Sequence, residues 1–304
     1  MTDRLVVGTR GSLLARAQTQ WVMDRIAAAH PGLELRMQII STAGDRLKGA
    51  LPEIGGKGLF TEDLEKALLD GSIDIAVHSC KDLPTRLSDG LALLAYPPRE
   101  DPRDAWISAD GKPFDELPPS SVVGTTSLRR QAQLLLRRRD LTFVQLRGNV
   151  DTRIRKVHEG QCAAAVLAMA GLIRSGLVAH VTHPFEPDVM LPAAGQGALA
   201  IEGRAGDARV AAYLRPLHDE PTGTAVECER AVLAGLNAGC RAPVAVLATV
   251  GDGNLHCRAL VCDPRGERVA RAQAIQPVPD SAALISDIVN QLNAGGAADI
   301  IAHC

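Results

Sequence analysis

Several features that would mark a functional class are scarce or missing in this sequence. Aromatic residues make up only 3% of its 304 residues, which argues against recognition of single-stranded nucleic acid by base stacking. The 33 basic and 35 acidic residues almost cancel, so the net charge gives no reason to expect a polyanionic partner. No apolar run approaches the roughly 18 residues of a membrane span, and no signal-peptide segment precedes the first strand-like run. These absences favour a cytoplasmic protein with neither a membrane nor a nucleic-acid partner.

The seven cysteines are scattered along the chain and form no Cys-x-x-Cys pair. An odd number at irregular spacing argues against a disulfide framework and against a zinc cluster. We therefore expect reduced thiols and no metal site. The sequence also lacks a P-loop, a dinucleotide-binding glycine motif, a zinc-protease motif and a nucleophile elbow.

Short apolar runs alternate with amphipathic segments through the first two thirds of the chain. The first strand-like run is followed by Ser12, a natural N-cap for a helix over residues 13–30. Such alternation predicts an α/β fold in which parallel sheets are covered on both faces by helices. We expect two such domains: a discontinuous one built from residues 1–98 and 197–216, and a second over residues 103–192.

The last part of the chain, residues 220–304, has a different pattern. Helical segments begin and end it, and three strand-like runs lie between them. Turn signals at Gly251-Asp252-Gly253 and Asp263-Pro264-Arg265-Gly266 separate these runs. The pattern predicts a small α+β domain with a three-stranded antiparallel sheet.

Arginine is far more abundant than lysine, with 27 arginines against six lysines. Codon bias explains the ratio as well as function does, so only the positions of the arginines carry a functional argument. Residues 122–156 contain nine basic residues and two acidic ones, in a chain that is otherwise net negative. The run Arg137-Arg138-Arg139 at a predicted helix end suits the helix dipole and is interpreted as structural.

Other arginines follow predicted strands. Arg129 and Arg130 come after Gly124-Thr125-Thr126-Ser127 at a strand-to-helix turn, where backbone N–H groups, hydroxyls and guanidinium groups can converge on one anion. Arg147 and Arg10 also lie just beyond strand-like runs. Because ligands bind outside the carboxyl ends of strands in open α/β sheets, these positions indicate a cleft for several carboxylates or phosphates. Solvated surface charge remains the alternative.

Two further residues are candidates for chemistry. Asp82 follows a buried-type strand beside Lys81, and a carboxylate among cations stays ionised and can stabilise a developing cation. An ordinary surface ion pair or a loop cap is the alternative explanation of these two residues, and on the residues alone it is the favoured one. Cys240 lies beside Arg241 in a glycine-containing turn, where the pKa of a thiol can be lowered, although a single loop cysteine is a weak signal.

Eight short strings in this order resemble the hydroxymethylbilane synthase family, whose members are also called porphobilinogen deaminases. They are Thr9-Arg10-Gly11-Ser12, Gly56-Lys57-Gly58-Leu59-Phe60, His78-Ser79-Cys80-Lys81-Asp82-Leu83-Pro84, Arg99-Glu100-Asp101-Pro102-Arg103-Asp104, Gly124-Thr125-Thr126-Ser127-Leu128-Arg129-Arg130, Leu146-Arg147-Gly148-Asn149-Val150, Leu191-Pro192-Ala193-Ala194-Gly195-Gln196-Gly197 and Gly239-Cys240. No single string is decisive, but the resemblance runs over essentially the whole chain.

The resemblance implies a fold and an activity. The fold would be two domains with the architecture of periplasmic binding proteins and a third domain that carries a cysteine loop. The activity would be the condensation of four porphobilinogen molecules with loss of ammonia, followed by release of hydroxymethylbilane by hydrolysis. A dipyrromethane cofactor would be attached to Cys240 by a thioether, and the protein would be a monomer.

The resemblance also implies roles for individual residues. Asp82 matches the family's catalytic carboxylate. The implied cofactor-binding residues are Lys81, Thr125, Ser127, Arg129, Arg130 and Arg153. The residues implied to face the incoming ring or the growing chain are Arg10, Ser12, Gln18, Arg147 and Arg174. Lys57 and Phe60 match the family's mobile active-site loop, and Glu53 stands where some members have lysine, which puts any charge role at that position in doubt.

Two other functions remain open on the residues alone. A non-catalytic, two-lobed binding protein for a small dicarboxylate would use the same α/β domains and arginine-lined cleft. Such a binder needs neither Asp82 nor a cysteine-bearing domain, so these features favour the enzyme. RNA binding through residues 122–156 is the third alternative, and the scarcity of aromatic residues argues against it.

Overall fold

The computed structural model describes residues 3–42, 44, 61–239 and 242–304. The chain divides into two compact units, Met1–Arg99 with Ala198–Gly223 and Glu100–Gly197 with Thr224–Cys304. Each unit is described separately below. The finer division into three domains stays a prediction.

The described residues of the first unit form one five-stranded sheet and three α-helices. Its elements are β1 (Arg4–Thr9), α1 (Leu13–Ala29), β2 (Glu34–Ile39), α2 (Glu62–Leu69), β3 (Ile75–Ser79), β4 (Leu91–Ala95), β10 (Leu199–Arg204) and α6 (Ala208–Leu214). The strand order is β2-β1-β3-β10-β4. Strand β1 runs parallel to β2 and β3, whereas β10 runs antiparallel to β3 and β4. The predicted return of the chain to the first sheet is confirmed, and because the returning strand β10 is antiparallel to its neighbours the sheet is mixed where parallel pairing was expected.

Alternating side chains of the sheet bury two separate cores. Leu5 and Val7 of β1 pack with Val22 and Ile26 of α1 on one face. The residue between them, Val6, belongs to a second cluster with α2 on the opposite face. This period-two alternation is what a sheet covered by helices on both faces requires.

The second unit contains a sheet of the same topology. Its elements up to residue 184 are β5 (Asp104–Ser108), β6 (Val122–Gly124), α3 (Leu128–Leu135), β7 (Thr142–Val144), α4 (Val150–His158), β8 (Ala164–Ala168), α5 (Met169–Arg174) and β9 (His183–Pro184). The order is β7-β6-β8-β5-β9, again with three parallel strands followed by one that runs in the opposite direction. In both sheets the second strand in this order, β1 or β6, leads into a helix capped by a serine side chain.

The rest of the second unit is an antiparallel sheet packed against helices. Its elements are α7 (Glu220–Gly235), β11 (Val244–Gly251), β12 (Asn254–Cys262), β13 (Val269–Pro277), α8 (Ser281–Ala294) and α9 (Ala297–Ala302). The three strands pair in sequence order. The predicted fold class, two α/β sheets and a small α+β part with a three-stranded antiparallel sheet, is confirmed. Among the described residues, no helix is both long and apolar enough to cross a membrane.

Candidate functional site

In the first unit, the carboxyl ends of β1 and β3 lie at one edge of the sheet because the two strands are parallel neighbours. Arg10 and Ser12 follow β1, and Lys81 and Asp82 follow β3. Ser12 caps α1, since its Oγ accepts a hydrogen bond from Ala15 N at 3.2 Å. The structure therefore places four of the sequence-predicted site residues at the same sheet edge.

Gln18 is attached to this edge from the helix side. The residue is buried on α1, and its Nε2 donates to Ser79 Oγ at 3.1 Å, at the last position of β3. The hydrogen bond fixes the first turns of α1 against the strand that leads to Asp82. Gln18 thus supports the turn that carries Asp82.

Asp82 ends a short 3-10 turn, Cys80–Asp82, that follows β3 directly. The turn is anchored by a hydrogen bond from Cys80 N to Ala198 O at 3.0 Å, and the Cys80 side chain is buried. Asp82 is exposed, and no described residue forms a hydrogen bond or ion pair with its carboxylate. The explanation of Asp82 as the partner of Lys81 in a surface ion pair is therefore wrong.

In the second unit, the turn after β6 is organised by two hydroxyls. Thr125 Oγ1 accepts a hydrogen bond from Ser127 N at 3.2 Å, and Ser127 Oγ accepts one from Arg130 N at 3.4 Å. Ser127 is the N-cap of α3. The cap fixes the first turn of the helix, which carries Arg129 and Arg130.

Arg129 and Arg130 are both buried, and both bind Asp104, the first residue of β5. Arg129 Nη1 donates to Asp104 Oδ2 at 2.7 Å. Arg130 donates to Asp104 Oδ1 from Nε at 2.9 Å and from Nη2 at 2.7 Å. The two guanidinium groups do converge on an anion, as the sequence indicates, but that anion is a side chain of the protein.

This buried cluster carries more positive than negative charge. Asp104 is the only carboxylate that forms an ion pair with Arg129 or Arg130 within the described ranges. Burial lowers the pKa of the Arg130 guanidinium, the charge of Asp104 opposes that effect, and the charge of Arg129 adds to it. One positive charge is left over in a place where water cannot screen it well, so a further anion is favoured there.

Two more basic residues lie around the loop after β7. Arg147 donates from Nη2 to Gln145 Oε1 at 2.8 Å, and Arg153 on α4 donates from Nε to Gly148 O at 2.8 Å. Because β7 is a parallel neighbour of β6, this loop lies at the same sheet edge as Thr125 and Ser127. The second sheet thus gathers four predicted residues at its carboxyl edge, next to the buried cluster.

Arg174, at the end of α5, reaches a different motif. Its Nη2 donates to Gly197 O at 2.8 Å. Burial lowers the pKa of the Arg174 guanidinium to about 10, while the Glu100 carboxylate opposes the shift, so the group stays charged at neutral pH. Gly197 has φ of +87°, and a Cβ there would lie 2.4 Å from Glu100 O, so only glycine fits.

Cys240, Lys57, Phe60 and Glu53 lie outside the described residues. The chain on either side of the predicted cysteine anchor is described: Ala242 N donates to Gly239 O at 3.0 Å. In the part of the chain that the structure describes, no three His, Cys, Asp or Glu residues are grouped so as to hold a metal ion.

Sequence reasoning missed three buried polar residues near the site. Asp104 binds the two arginines, and Gln196 Nε2 donates to Asp104 Oδ1 at 3.0 Å. Glu229 on α7 accepts from Gly195 N at 2.6 Å and from Ala248 N at 2.7 Å. Asp104 and Gln196 lie in two of the short strings that resemble the family, and this was the only signal in the sequence that pointed to them. The resemblance assigned no function to either residue.

The residues described fit a cofactor that carries carboxylates. Among the described residues the buried cluster has two guanidinium groups in ion pairs with one carboxylate, and Arg129 Nε and Nη2 make no hydrogen bond to a described residue. A guanidinium group binds a carboxylate through such N–H pairs. The unused donors therefore match a ligand that brings its own carboxylates.

Two family models match this chain. The model described as "Porphobilinogen deaminase, dipyromethane cofactor binding domain" matches residues 5–212, and the model described as "Porphobilinogen deaminase, C-terminal domain" matches residues 224–294.

Three curated relatives, each named porphobilinogen deaminase, are similar over nearly the full length. The protein of Syntrophotalea carbinolica is 46% identical over 99% of this chain and 96% of its own length. The protein of Desulforudis audaxviator is 48% identical over 100% of this chain and 98% of its own length. The protein of Paracoccus denitrificans is 47% identical over 96% of this chain and 95% of its own length.

Proposed function

Because this chain belongs to the porphobilinogen deaminase family, we propose that it joins four porphobilinogen molecules head to tail on a dipyrromethane primer. Each joining step releases ammonia, and hydrolysis releases hydroxymethylbilane. Porphobilinogen is an electron-rich pyrrole with an aminomethyl arm and two carboxylates. The protein must therefore stabilise positive charge on the reacting ring and bind the negative charge of the side chains.

Asp82 is the observation that carries the assignment. Its carboxylate is exposed at the sheet edge and has no described partner, so its negative charge is available to a ligand. As ammonia leaves, positive charge develops on the pyrrole, and a nearby carboxylate stabilises that charge and accepts the pyrrole N–H hydrogen bond. The 3-10 turn and the Gln18–Ser79 hydrogen bond hold the carboxylate in position.

The arginines supply the opposite charge. Every pyrrole ring brings two carboxylates, and guanidinium groups bind them as a fork. We assign cofactor binding to Lys81, Thr125, Ser127, Arg129, Arg130 and Arg153. We assign the incoming ring and growing chain to Arg10, Ser12, Gln18, Arg147 and Arg174, and the active-site loop to Lys57 and Phe60. The excess positive charge of the buried cluster supports the cofactor assignment.

The cofactor is assigned to Cys240 through a thioether. When bound there, the dipyrromethane supplies the free α-carbon to which the first porphobilinogen is joined. Glu229, one turn and a half from the end of α7, fixes the helix that precedes Gly239 through two short hydrogen bonds to backbone N–H groups. A fixed helix end is what a covalent anchor needs.

The state and location of the protein are further parts of the proposal. The six cysteines within the described residues are free thiols, which supports a reducing compartment and hence the cytoplasm. We assign a monomer and the three-domain division 1–98 with 197–216, 103–192 and 220–304. The resemblance and the separate antiparallel sheet support that division.

Intact mass spectrometry tests the proposal most directly. The isolated protein should weigh its polypeptide plus a dipyrromethane, and porphobilinogen should add single pyrrole units. Cys240→Ser should have the bare polypeptide mass, whereas Cys304→Ser, which removes the exposed C-terminal thiol, should load normally. A wild-type protein with the bare mass and no gain from porphobilinogen would overturn the proposal.

A further inference from the structure

Asp104 is the centre of a buried polar network. It is fully buried at the start of β5, and its Oδ1 accepts three hydrogen bonds, two from Arg130 and one from Gln196. Its Oδ2 accepts the fourth, from Arg129. A carboxylate that takes four charge-assisted or amide hydrogen bonds in the interior holds its partners in one geometry.

The two arginines use their donors differently. Arg130 is fully engaged, because its Nε and Nη2 bind Asp104 and its Nη1 binds Val166 O at 2.9 Å. Arg129 donates only from Nη1, to Asp104 Oδ2 and to Leu191 O. Its Nε and Nη2 make no hydrogen bond to a described residue. Asp104 therefore fixes Arg129 by one nitrogen and leaves the other two for a ligand.

The network continues to the helix that precedes Cys240. Gln196 also donates to Pro102 O at 2.8 Å, and the neighbouring Gly195 N donates to Glu229 on α7. Arg130, Asp104, the segment 195–196 and Glu229 thus form one continuous chain of buried contacts within the second unit. This chain of contacts connects the two arginines to Glu229 on α7.

We propose that Asp104 is a positioning residue for the cofactor: with Arg130 it forms a fixed buried pair that orients the free edge of Arg129 toward a dipyrromethane carboxylate. The inference rests on the proposed function. It goes beyond that function because Asp104 binds no substrate and takes no part in bond making. It also divides the cofactor-binding role assigned to the two arginines: Arg129 contacts the carboxylate directly, and Arg130 contributes by holding Asp104 in place.

Asp104→Asn, Asp104→Glu and Glu202→Gln are the variants that test this. Glu202 is the matched control, because it is an equally buried carboxylate in the other unit, 2.9 Å from His78 Nε2 and outside the proposed machinery. For each variant the midpoint of urea unfolding is measured first. Intact mass then gives the ratio of loaded to unloaded protein, as isolated and after incubation with increasing porphobilinogen.

A misplacement of about 1 Å can cost on the order of 10²-fold in rate, and we expect Asp104→Asn to load roughly 10- to 100-fold less well than wild type while still folded. Asp104→Glu keeps the charge but moves the carboxylate, and its loading should be intermediate. Glu202→Gln should lose stability and load as wild type. Half-loading should need more porphobilinogen in the Asp104 variants only.

Two results would overturn the inference. One is wild-type loading by folded Asp104→Asn. The other is a loading defect in Glu202→Gln that equals the Asp104→Asn defect at the same stability, since the effect would then be general destabilisation. If Asp104→Asn does not fold, wild-type loading by Asp104→Glu overturns it instead. Failure of the proposed function is separate, because it would appear as an unloaded wild-type protein.

Discussion

Replacing Asp82 with asparagine removes one negative charge and leaves the size of the side chain almost unchanged. In the structure this carboxylate is exposed and has no described partner, so the substitution breaks no hydrogen bond or ion pair. Surface substitutions away from such contacts change the free energy of unfolding by about 0.5 kcal/mol or less. Any large effect of Asp82→Asn must therefore be on the reaction rather than on the fold.

The size of that effect follows from the charge that is lost. A carboxylate about 4 Å from a developing positive charge near a protein surface contributes ~4 kcal/mol at most. Since each 1.4 kcal/mol is a factor of ten, the upper limit is about 10³-fold in rate. Part of the interaction is already present before ammonia leaves, so we expect a fall of roughly 10²- to 10³-fold.

The assay is the single-turnover rate of ammonia release, measured on protein whose cofactor occupancy has been determined by mass. Asp89→Asn is the control, because it removes the same charge from a highly exposed position seven residues away, where the one ion pair to a described residue is with Arg86 at 3.7 Å. Asp89→Asn should react as wild type. An Asp82→Asn rate within tenfold of wild type, at equal occupancy, would refute the electrostatic role of Asp82.

Three other changes have defined expected results. Arg129→Lys keeps a charge near Asp104 but loses the planar fork, so intact mass should show at least tenfold lower cofactor occupancy, and unchanged occupancy would contradict the assignment. Glu229→Gln should lower the free energy of unfolding by about 1–3 kcal/mol in urea titrations, because one of the two backbone N–H groups loses its acceptor. An unchanged midpoint of unfolding would contradict a stabilising role for these two hydrogen bonds. Burial raises the pKa of Cys262 from 9.0 to about 12, so between these pH values only the unfolded thiol ionises. The free energy of unfolding should therefore fall as the pH rises above 9, and Cys262→Ala should remove this part of the fall. The same dependence of unfolding free energy on pH in wild type and Cys262→Ala would contradict the prediction.

Most of the fold could be predicted because each element has a local signal. The alternation of apolar runs and capped helices predicted β1, α1 and β3, and the turn signals predicted the antiparallel sheet. The reversed direction of β10 could not be predicted from the pattern, because a period of two is the same for both directions. Thr61 occupies the N-cap position of α2, but its side chain makes no capping hydrogen bond.

The candidate site could be predicted where it depends on strand ends and not where it depends on distant pairing. The edge positions of Arg10 and Asp82 in the first sheet, and of Arg147 in the second, could be predicted because residues just beyond parallel strands lie at one edge of their own sheet. Asp104 was missed because it is a counter-ion to residues 25 and 26 positions away, and an acidic residue at the start of a strand has no local signal. The same holds for Glu229, whose partners lie in two other segments.

Burial separates the two kinds of charge that this reaction needs. The carboxylates of the pyrrole side chains are permanent, and a buried guanidinium binds them strongly because the interior screens charge poorly, provided that its own burial is supported by a residue such as Asp104. The positive charge on the reacting ring exists only briefly. A buried carboxylate would be costly whenever that charge is absent, whereas Asp82 is exposed and solvated, which suits the role proposed for it. A buried arginine therefore suits the permanent negative charge of the pyrrole carboxylates, and an exposed aspartate suits the transient positive charge of the reacting ring.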